Sequence, residues 1–148
     1  MILTKPKYII IHHSLTRDSG TVSWNAIRKY HMKTLKWSNI GYHYGIETVN
    51  KTVEIFVGRF EGHTGAHTRG YNRRSIGICL VGNYDKSQVP KDKWNILLKL
   101  VQNIILRYDI GIDDVIGHRE VASYKSCPGN LFDMYLFREK LRKSFLKG

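Results

Sequence analysis

The sequence has few cysteines, few prolines and no long apolar run. Its 148 residues include two cysteines and three prolines, so a small scaffold held together by several disulfides is excluded. No uninterrupted apolar stretch reaches the roughly 18 residues that a membrane-spanning helix needs. The first residues also lack the apolar core and cleavage site of a secretory signal peptide, which predicts synthesis in the cytoplasm without export by that route.

Acidic residues are scarce as well. The chain carries 24 Lys and Arg against 12 Asp and Glu, a formal net charge of +12 with neutral histidines. Such a charge attracts nucleic acid, anionic lipid headgroups or an acidic wall polymer, and by itself it does not choose among them. Hydrophobic residues make up 42% of the chain, and no repeat or low-complexity linker interrupts it, so we expect one globular domain over residues 1–148.

Strand-like and helix-like segments alternate along the chain. Short β-branched runs predict strands, and apolar residues at helical spacing predict amphipathic helices. The predicted strands are Tyr8–His12, Tyr42–Thr48, Val53–Val57, Ser75–Val81 and Val115–Gly117, and the predicted helices run from Ser23 to Trp37, from Pro90 to Gly111 and from Leu131 to Phe145. This interleaving predicts an α/β fold in which helices pack on a central mixed sheet.

Residues with metal-binding or acid–base side chains lie at or after three of the predicted strands. They are the pair His12 and His13, the pair Tyr42 and His43, and the segment from His118 to Cys127. Loops that follow strands bring side chains to a cleft at the edge of a sheet. Neither an HExxH helix motif nor paired CxxC spacing is present, so a zinc site would be assembled from segments far apart in the sequence.

The residues alone leave plainer interpretations open. A histidine at a strand end is more often a hydrogen-bonded structural residue than a ligand. Tyr42 could be a half-buried strand aromatic, Lys125 a solvated charge and Asn72 a turn former. Cys79 lies in a continuous apolar run and is expected in the core. His31 lies among basic residues of the first helix and is expected to be exposed.

Taken in order, several short segments resemble the type 2 zinc-dependent N-acetylmuramoyl-L-alanine amidases, which include short bacteriophage lysozymes and animal peptidoglycan recognition proteins. The segments are Ile9–Ser14, Ile40–Tyr44, Gly65–His67 with Gly70–Asn72, Ser75–Gly82, and Gly117–Val121 with Lys125–Gly129. Each piece is modest, and their order along most of the chain is specific. The resemblance implies an amidase fold with a central mixed sheet flanked by helices.

The same resemblance implies a site. Its zinc ligands would be His12, His118 and Cys127, and its catalytic residues that do not bind the metal would be Tyr42 and Lys125. Three protein ligands leave the open position that a catalytic zinc needs for water. The Lys125 ammonium would stabilise the oxyanion, while Tyr42 would orient the water or pass a proton to the leaving amine.

Roles are also expected for three further side chains near the site. His67 and Asn72 are implied as substrate-binding residues. His13 is expected to face away from the site as a structural residue, because neighbours on a strand alternate between the two faces of a sheet.

The reaction implied is hydrolysis of the amide between N-acetylmuramic acid and L-alanine in bacterial peptidoglycan. We expect one Zn²⁺ per chain and a monomer without a separate wall-binding module. The protein would act on the cell wall after release from the cytoplasm, as in phage lysis. Its positive surface would contact acidic envelope polymers. Phage members can also bind a second protein such as a polymerase, for which no residue here is a signal.

Two other classes of function stay open at this stage. A non-catalytic peptidoglycan-binding protein could share the fold, although Cys127 argues against it because such members replace that ligand. A nucleic-acid-binding protein is suggested by the basic residues near the C-terminus: Arg138, Lys140, Arg142, Lys143 and Lys147. No usual nucleic-acid-binding motif accompanies them, so nucleic acid is not an obligatory partner.

Overall fold

The computed structural model describes residues 5–16 and 23–146. The strands are β1 (Tyr8–His13), β2 (Tyr44–Val49), β3 (Thr52–Val57), β4 (Ser75–Leu80) and β5 (Val115–Gly117), and the helices are α1 (Ser23–Lys29), α2 (Lys91–Tyr108) and α3 (Met134–Leu146). A π-helical turn, Tyr30–Thr34, continues α1, and short 3₁₀ turns lie at Asn72–Arg74, Ile112–Asp114 and His118–Glu120. Within the described ranges, no helix combines the length and apolarity needed to cross a bilayer.

The strands form one five-stranded sheet in the order β3-β2-β4-β1-β5. β1 pairs in parallel with β4 and β5, β2 pairs in parallel with β4, and only β3 is antiparallel to its neighbour. The predicted α/β fold with a central mixed sheet is therefore confirmed. β1 lies inside the sheet, and its three isoleucines at 9–11 are fully buried, which explains why this strand reads as a continuous apolar run.

The two faces of the sheet are covered differently. Ile9 and Ile11 of β1 contribute with Ile76 and Ile78 of β4 to the main core under α2 and α3. The alternate residues of these strands point to the other face, where Trp24 of α1 forms a smaller apolar cluster with Ile40 and Cys79. His12 belongs to this second face. The site therefore lies over a sheet face as well as near the carboxyl ends of β1 and β5, rather than only at the sheet edge.

The first predicted helix is shorter than expected. Its α-helical part ends at Lys29, and the π-helical turn carries the chain only to Thr34 instead of Trp37. Tyr30 and Leu35, which follow Trp24 and Ile27 near helical spacing, are 54% and 39% exposed. The change to π geometry alters the number of residues per turn, so the apolar periodicity no longer describes which side chains face the sheet.

Three other boundaries differ for local reasons. β2 begins at Tyr44, so Tyr42 precedes the strand. α2 ends at Tyr108 because Asp109 adopts a left-handed conformation with φ 56°, before Gly111 is reached. α3 begins at Met134 rather than at Leu131, since the Asp133 carboxylate accepts a hydrogen bond from the backbone N–H of Leu136 at 2.9 Å and so caps the helix.

Candidate metal centre

His12, His118 and Cys127 converge from three places in the chain. Ile11 of β1 pairs with Gly117 of β5, so the residues that follow, His12 and His118, emerge side by side. Their ring centroids are 4.7 Å apart, and Sγ of Cys127 lies 3.6 Å from Nδ1 of His12. The metal-binding atoms of the three residues all lie within 4.8 Å of one another. Among the described residues, this is the one such group of His, Cys, Asp and Glu.

The chemistry of these donors fits a zinc ion. Two imidazole nitrogens and one sulfur form a ligand set that Zn²⁺ prefers. Burial, followed by the neighbouring His67, holds the pKa of His12 well below its usual value, so its ring is neutral and can offer a lone pair. Burial raises the pKa of the Cys127 thiol to about 12, so a thiolate there requires a cation beside it. The backbone N–H of His13 donates to Sγ at 3.2 Å.

The loop that carries Cys127 is held from two sides. The Arg119 backbone N–H donates to the Cys127 carbonyl at 2.7 Å, and the Arg119 guanidinium donates to the Gly129 carbonyl at 2.6 Å. On the other side, the Asp85 carboxylate accepts a hydrogen bond from Ser126 at 3.0 Å. Neither positioning residue was found by sequence reasoning, although Arg119 directly follows the ligand His118 within the resemblance and so carried a signal.

His67 and Thr68 contact the second ring nitrogen of His12. Nε2 of His12 lies 2.9 Å from Nδ1 of His67 and 3.2 Å from the Thr68 hydroxyl. In the tautomer that leaves Nδ1 of His12 free for a metal, Nε2–H donates to these acceptors, an arrangement typical of metal-binding histidines. Sequence reasoning missed Thr68, whose only signal was its place directly after His67.

Asn72 supports the loop that carries His67 and does not line the cavity that contains His12, His118 and Cys127. Its carboxamide oxygen accepts the backbone N–H groups of His67 at 2.8 Å and of Thr68 at 2.9 Å, so Asn72 shapes the loop that places His67. Gly77 of β4 lies beneath His67, and a Cβ there would come within 2.6 Å of the imidazole. Glycine is therefore required at 77 for His67 to reach His12.

Tyr42 and Lys125 line the same cavity as the three clustered residues. This cavity has a volume of about 310 Å³ and is also lined by His67. The Tyr42 ring centroid lies 5.2 Å from that of His12, and burial raises the Tyr42 pKa well above its ordinary value, so the phenol stays protonated. Lys125 is exposed at the cavity rim. All the site residues suggested by resemblance are thus brought together except Asn72.

His31 was expected to be exposed, and this prediction is wrong. It is half-buried at the π-helical turn, its Nδ1 accepts the backbone N–H of Gly41 at 3.0 Å, and its ring centroid lies 4.6 Å from that of Trp37. His31 and Tyr42 line both the 310 Å³ cavity and a neighbouring cavity of about 440 Å³. The two cavities also share Ser14 and therefore lie side by side; we call the pair the groove. The helical spacing that placed His31 on the basic face did not anticipate the π geometry.

The remaining candidates have structural roles. His13 borders the 310 Å³ cavity, and its ring nitrogen Nδ1 accepts the Tyr84 backbone N–H at 3.1 Å. His43 is fully buried, donating from Nε2 to the His63 carbonyl at 2.7 Å and accepting the Gly77 N–H at Nδ1. Cys79 is fully buried, and its expected place in the core is confirmed.

Comparison with known proteins agrees with this geometry. A family model described as N-acetylmuramoyl-L-alanine amidase matches residues 3–130. The endolysin of Escherichia phage T7 is 36% identical over 138 residues, which cover 89% of this chain and 85% of that one. Peptidoglycan-recognition protein SC2 of Drosophila melanogaster is 30% identical over 128 residues, or 82% of this chain and 67% of its own.

A solved structure extends the likeness to the fold. The N-acetylmuramoyl-L-alanine amidase LysC from Clostridium intestinale URNW is similar with a TM-score of 0.80 and 29% sequence identity, covering 96% of this chain and 93% of that chain. The family match contains the whole sheet and every residue of the cluster and its cavity. The chain therefore belongs to the N-acetylmuramoyl-L-alanine amidase family.

Proposed function

We propose that this protein is a zinc-dependent amidase that cleaves the bond between N-acetylmuramic acid and L-alanine in bacterial peptidoglycan. The observation that carries the proposal is the convergence of His12, His118 and Cys127 in a cavity that also contains Tyr42 and Lys125. Family membership supports the reaction class. The similarity to phage endolysins supports action on the cell wall of a host after release from its cytoplasm.

The metal would be held by His12, His118 and Cys127. When bound, Zn²⁺ would polarise the amide carbonyl and lower the pKa of water towards neutrality. Three protein ligands are the number typical of a catalytic rather than a structural zinc site. The hydrogen bonds from His12 to His67 and Thr68 would keep the ring oriented with Nδ1 towards the metal.

The other residues of the cavity would act on the substrate. Attack on an amide creates a negatively charged tetrahedral oxygen, and the Lys125 ammonium at the cavity rim would donate a hydrogen bond to it. Tyr42, which stays protonated, would donate a hydrogen bond to orient the attacking water or pass a proton towards the leaving amine. The 440 Å³ cavity beyond His31 offers room for substrate on either side of the scissile bond.

Metal analysis tests the centre directly. A preparation made without chelators should contain close to one zinc per chain, and Cys127→Ser should lose most of it, because one of three ligands is replaced by a weaker donor. Cys79→Ala is the matched control, since this thiol lies outside the cluster and the variant should retain its zinc. Wild-type protein that is folded and free of metal would contradict the proposal.

The reaction is tested by the products of purified peptidoglycan. Digestion should release new L-alanine amino groups without new reducing sugar ends. Reducing ends would identify a glycosidase instead, which needs a pair of carboxylates at the scissile bond. The described residues that line the 310 Å³ cavity include no Asp or Glu.

A further inference from the structure

The exposed surface of α1 and the turn that follows is strongly and uniformly basic. We call residues 23–36 the α1 surface. It carries Arg28, Lys29, Lys33 and Lys36, all exposed, and the sequence has no Asp or Glu from Ser23 to Ile46. The α1 surface thus presents four cations to solvent and has no acidic residue of its own to neutralise them.

The cations of the α1 surface differ from those of α3 in their partners. On α3, Arg138 pairs with Glu120 at 2.8 Å, and Arg142 pairs with Glu139 at 2.8 Å and with Asp113. Within the part of the chain that the structure describes, no ion pair involves any of the four cations of the α1 surface. Arg138 and Arg142, two of the basic C-terminal residues that suggested nucleic-acid binding, are therefore partly neutralised, whereas no described acidic residue pairs with the cations of the α1 surface. Lys147 lies outside the described residues.

Apolar side chains are exposed among these cations. Tyr30 and Leu35, on the α1 surface, are 54% and 39% exposed, and Leu15, which precedes it in the chain, is 57% exposed. A soluble polyanion such as polyphosphate would contact the cations and gain nothing from the apolar groups. A lipid interface contacts both, because cations pair with headgroup phosphates while aromatic and aliphatic side chains enter the boundary below them.

From these observations we propose that the α1 surface docks the protein onto a membrane containing anionic phospholipids. Basic residues close to an anionic leaflet are attracted within about one Debye length of its surface. Tyr30 and Ile27 of the α1 surface also line the 440 Å³ cavity. Docking would therefore hold the groove beside the membrane, close to the innermost layer of peptidoglycan. The docking adds a partner to the proposed function, and it does not depend on metal or hydrolysis.

Sedimentation with vesicles tests the proposal. The probe is phosphatidylcholine vesicles with or without phosphatidylglycerol, and the full chain should sediment only with the anionic vesicles. Replacing the four cations by glutamine (Arg28→Gln, Lys29→Gln, Lys33→Gln and Lys36→Gln) should lower the partition coefficient roughly a hundredfold or more. The matched control removes four exposed cations elsewhere, Lys51→Gln, Lys91→Gln, Lys99→Gln and Lys140→Gln, and should lower it far less. Circular dichroism would confirm that both variants are folded.

A second variant identifies the lipid rather than its phosphate alone. Leu35→Ser should weaken vesicle binding several-fold while leaving binding to inorganic polyphosphate unchanged, because only the lipid interface contacts the apolar side chain. Equal losses in the two quadruple variants would overturn the proposal, since net charge would then explain the binding. Binding to polyphosphate with none to anionic vesicles would also overturn it.

Cys127→Ser separates docking from catalysis. It should lose zinc and hydrolysis yet bind anionic vesicles as the parent does. Failure of the parent to bind vesicles, with hydrolysis intact, would overturn docking alone. Vesicle binding in a parent that cannot hydrolyse peptidoglycan would overturn the proposed function alone.

Discussion

Tyr42 and Lys125 share one cavity but differ in burial, and burial determines what each can contribute. Tyr42 is enclosed, and because burial raises its pKa it can act only as a protonated donor at neutral pH. Lys125 lies exposed at the rim, two residues before the proposed ligand Cys127, with its Nζ 5.7 Å from the centre of the Tyr124 ring. An exposed, flexible cation suits a charge that develops only during the reaction.

Lys125→Ala should retain zinc and fold but lose turnover. One donor to an oxyanion typically supplies roughly 10²–10³ in rate, so kcat should fall by that order while KM changes little. The measurement is steady-state release of L-alanine amines from soluble peptidoglycan fragments, alongside zinc content. Lys99→Ala, an exposed lysine on α2, is the control. Unchanged turnover in Lys125→Ala would remove this residue from the mechanism.

At the scale of elements, the loop between β3 and β4 is fastened to α2 through Glu61. Its carboxylate accepts hydrogen bonds from the Arg107 guanidinium, from the Tyr108 hydroxyl at 2.6 Å and from the Tyr44 hydroxyl. Burial alone would raise the pKa of Glu61, but these donors outweigh it and lower the pKa to about 2. Because the same loop presents His67 to His12, the contact with α2 also supports the site.

Glu61→Gln should destabilise the fold at neutral pH by roughly 2 kcal/mol, the scale of hydrogen bonds to a charged group. The folded-state pKa is lowered, so this contribution is complete above the usual value of 4.5 and is lost as the pH falls towards about 2. Urea unfolding of parent and variant should therefore differ at neutral pH and converge in acid. Glu54→Gln, at an exposed carboxylate of β3, is the control; a gap between parent and Glu61→Gln that persists unchanged in acid would contradict the assignment.

At the scale of the whole molecule, the net charge of +12 should govern approach to the wall. Exposed charges separated by more than about 8 Å are largely screened at physiological ionic strength. Binding of Cys127→Ser, which is not expected to digest its target, to purified bacterial envelopes should therefore weaken several-fold from low to physiological salt. The measurement is cosedimentation across a salt series. Salt-independent binding would show that the charge serves another purpose.

Much of the fold and part of the site could be predicted from local sequence. The runs around Ile10 and Ile78 identified buried strands because every residue there is apolar and suited to a sheet. Pro90 marked the start of α2, whose long amphipathic pattern was the clearest of all. His12, His118 and Cys127 could be named from ordered motifs, but no local pattern contains the distances between them, since His12 and Cys127 are 115 positions apart in the sequence.

The residues that support the site were harder to find. His31 depends on a π-helical turn, and a change of helical period leaves no reliable mark on a short segment. The resemblance implies that Asn72 binds substrate, which stays a prediction; its carboxamide oxygen accepts two backbone N–H groups of the loop that carries His67. Arg119 and Glu61 are charged residues in loops, where composition alone predicts solvation. Only their long-range partners reveal what they hold in place.

By itself the sequence determined the alternation of strands and helices, the excess of positive charge and the identity of the donor side chains, because these follow from residue type and short-range spacing. The tertiary structure alone decided that Ile11 lies opposite Gly117, so that the next residue of each strand is a histidine of one cluster. It also decided which of the described cations form ion pairs with described carboxylates. Register and pairing arise from contacts between distant segments, which short-range spacing does not encode.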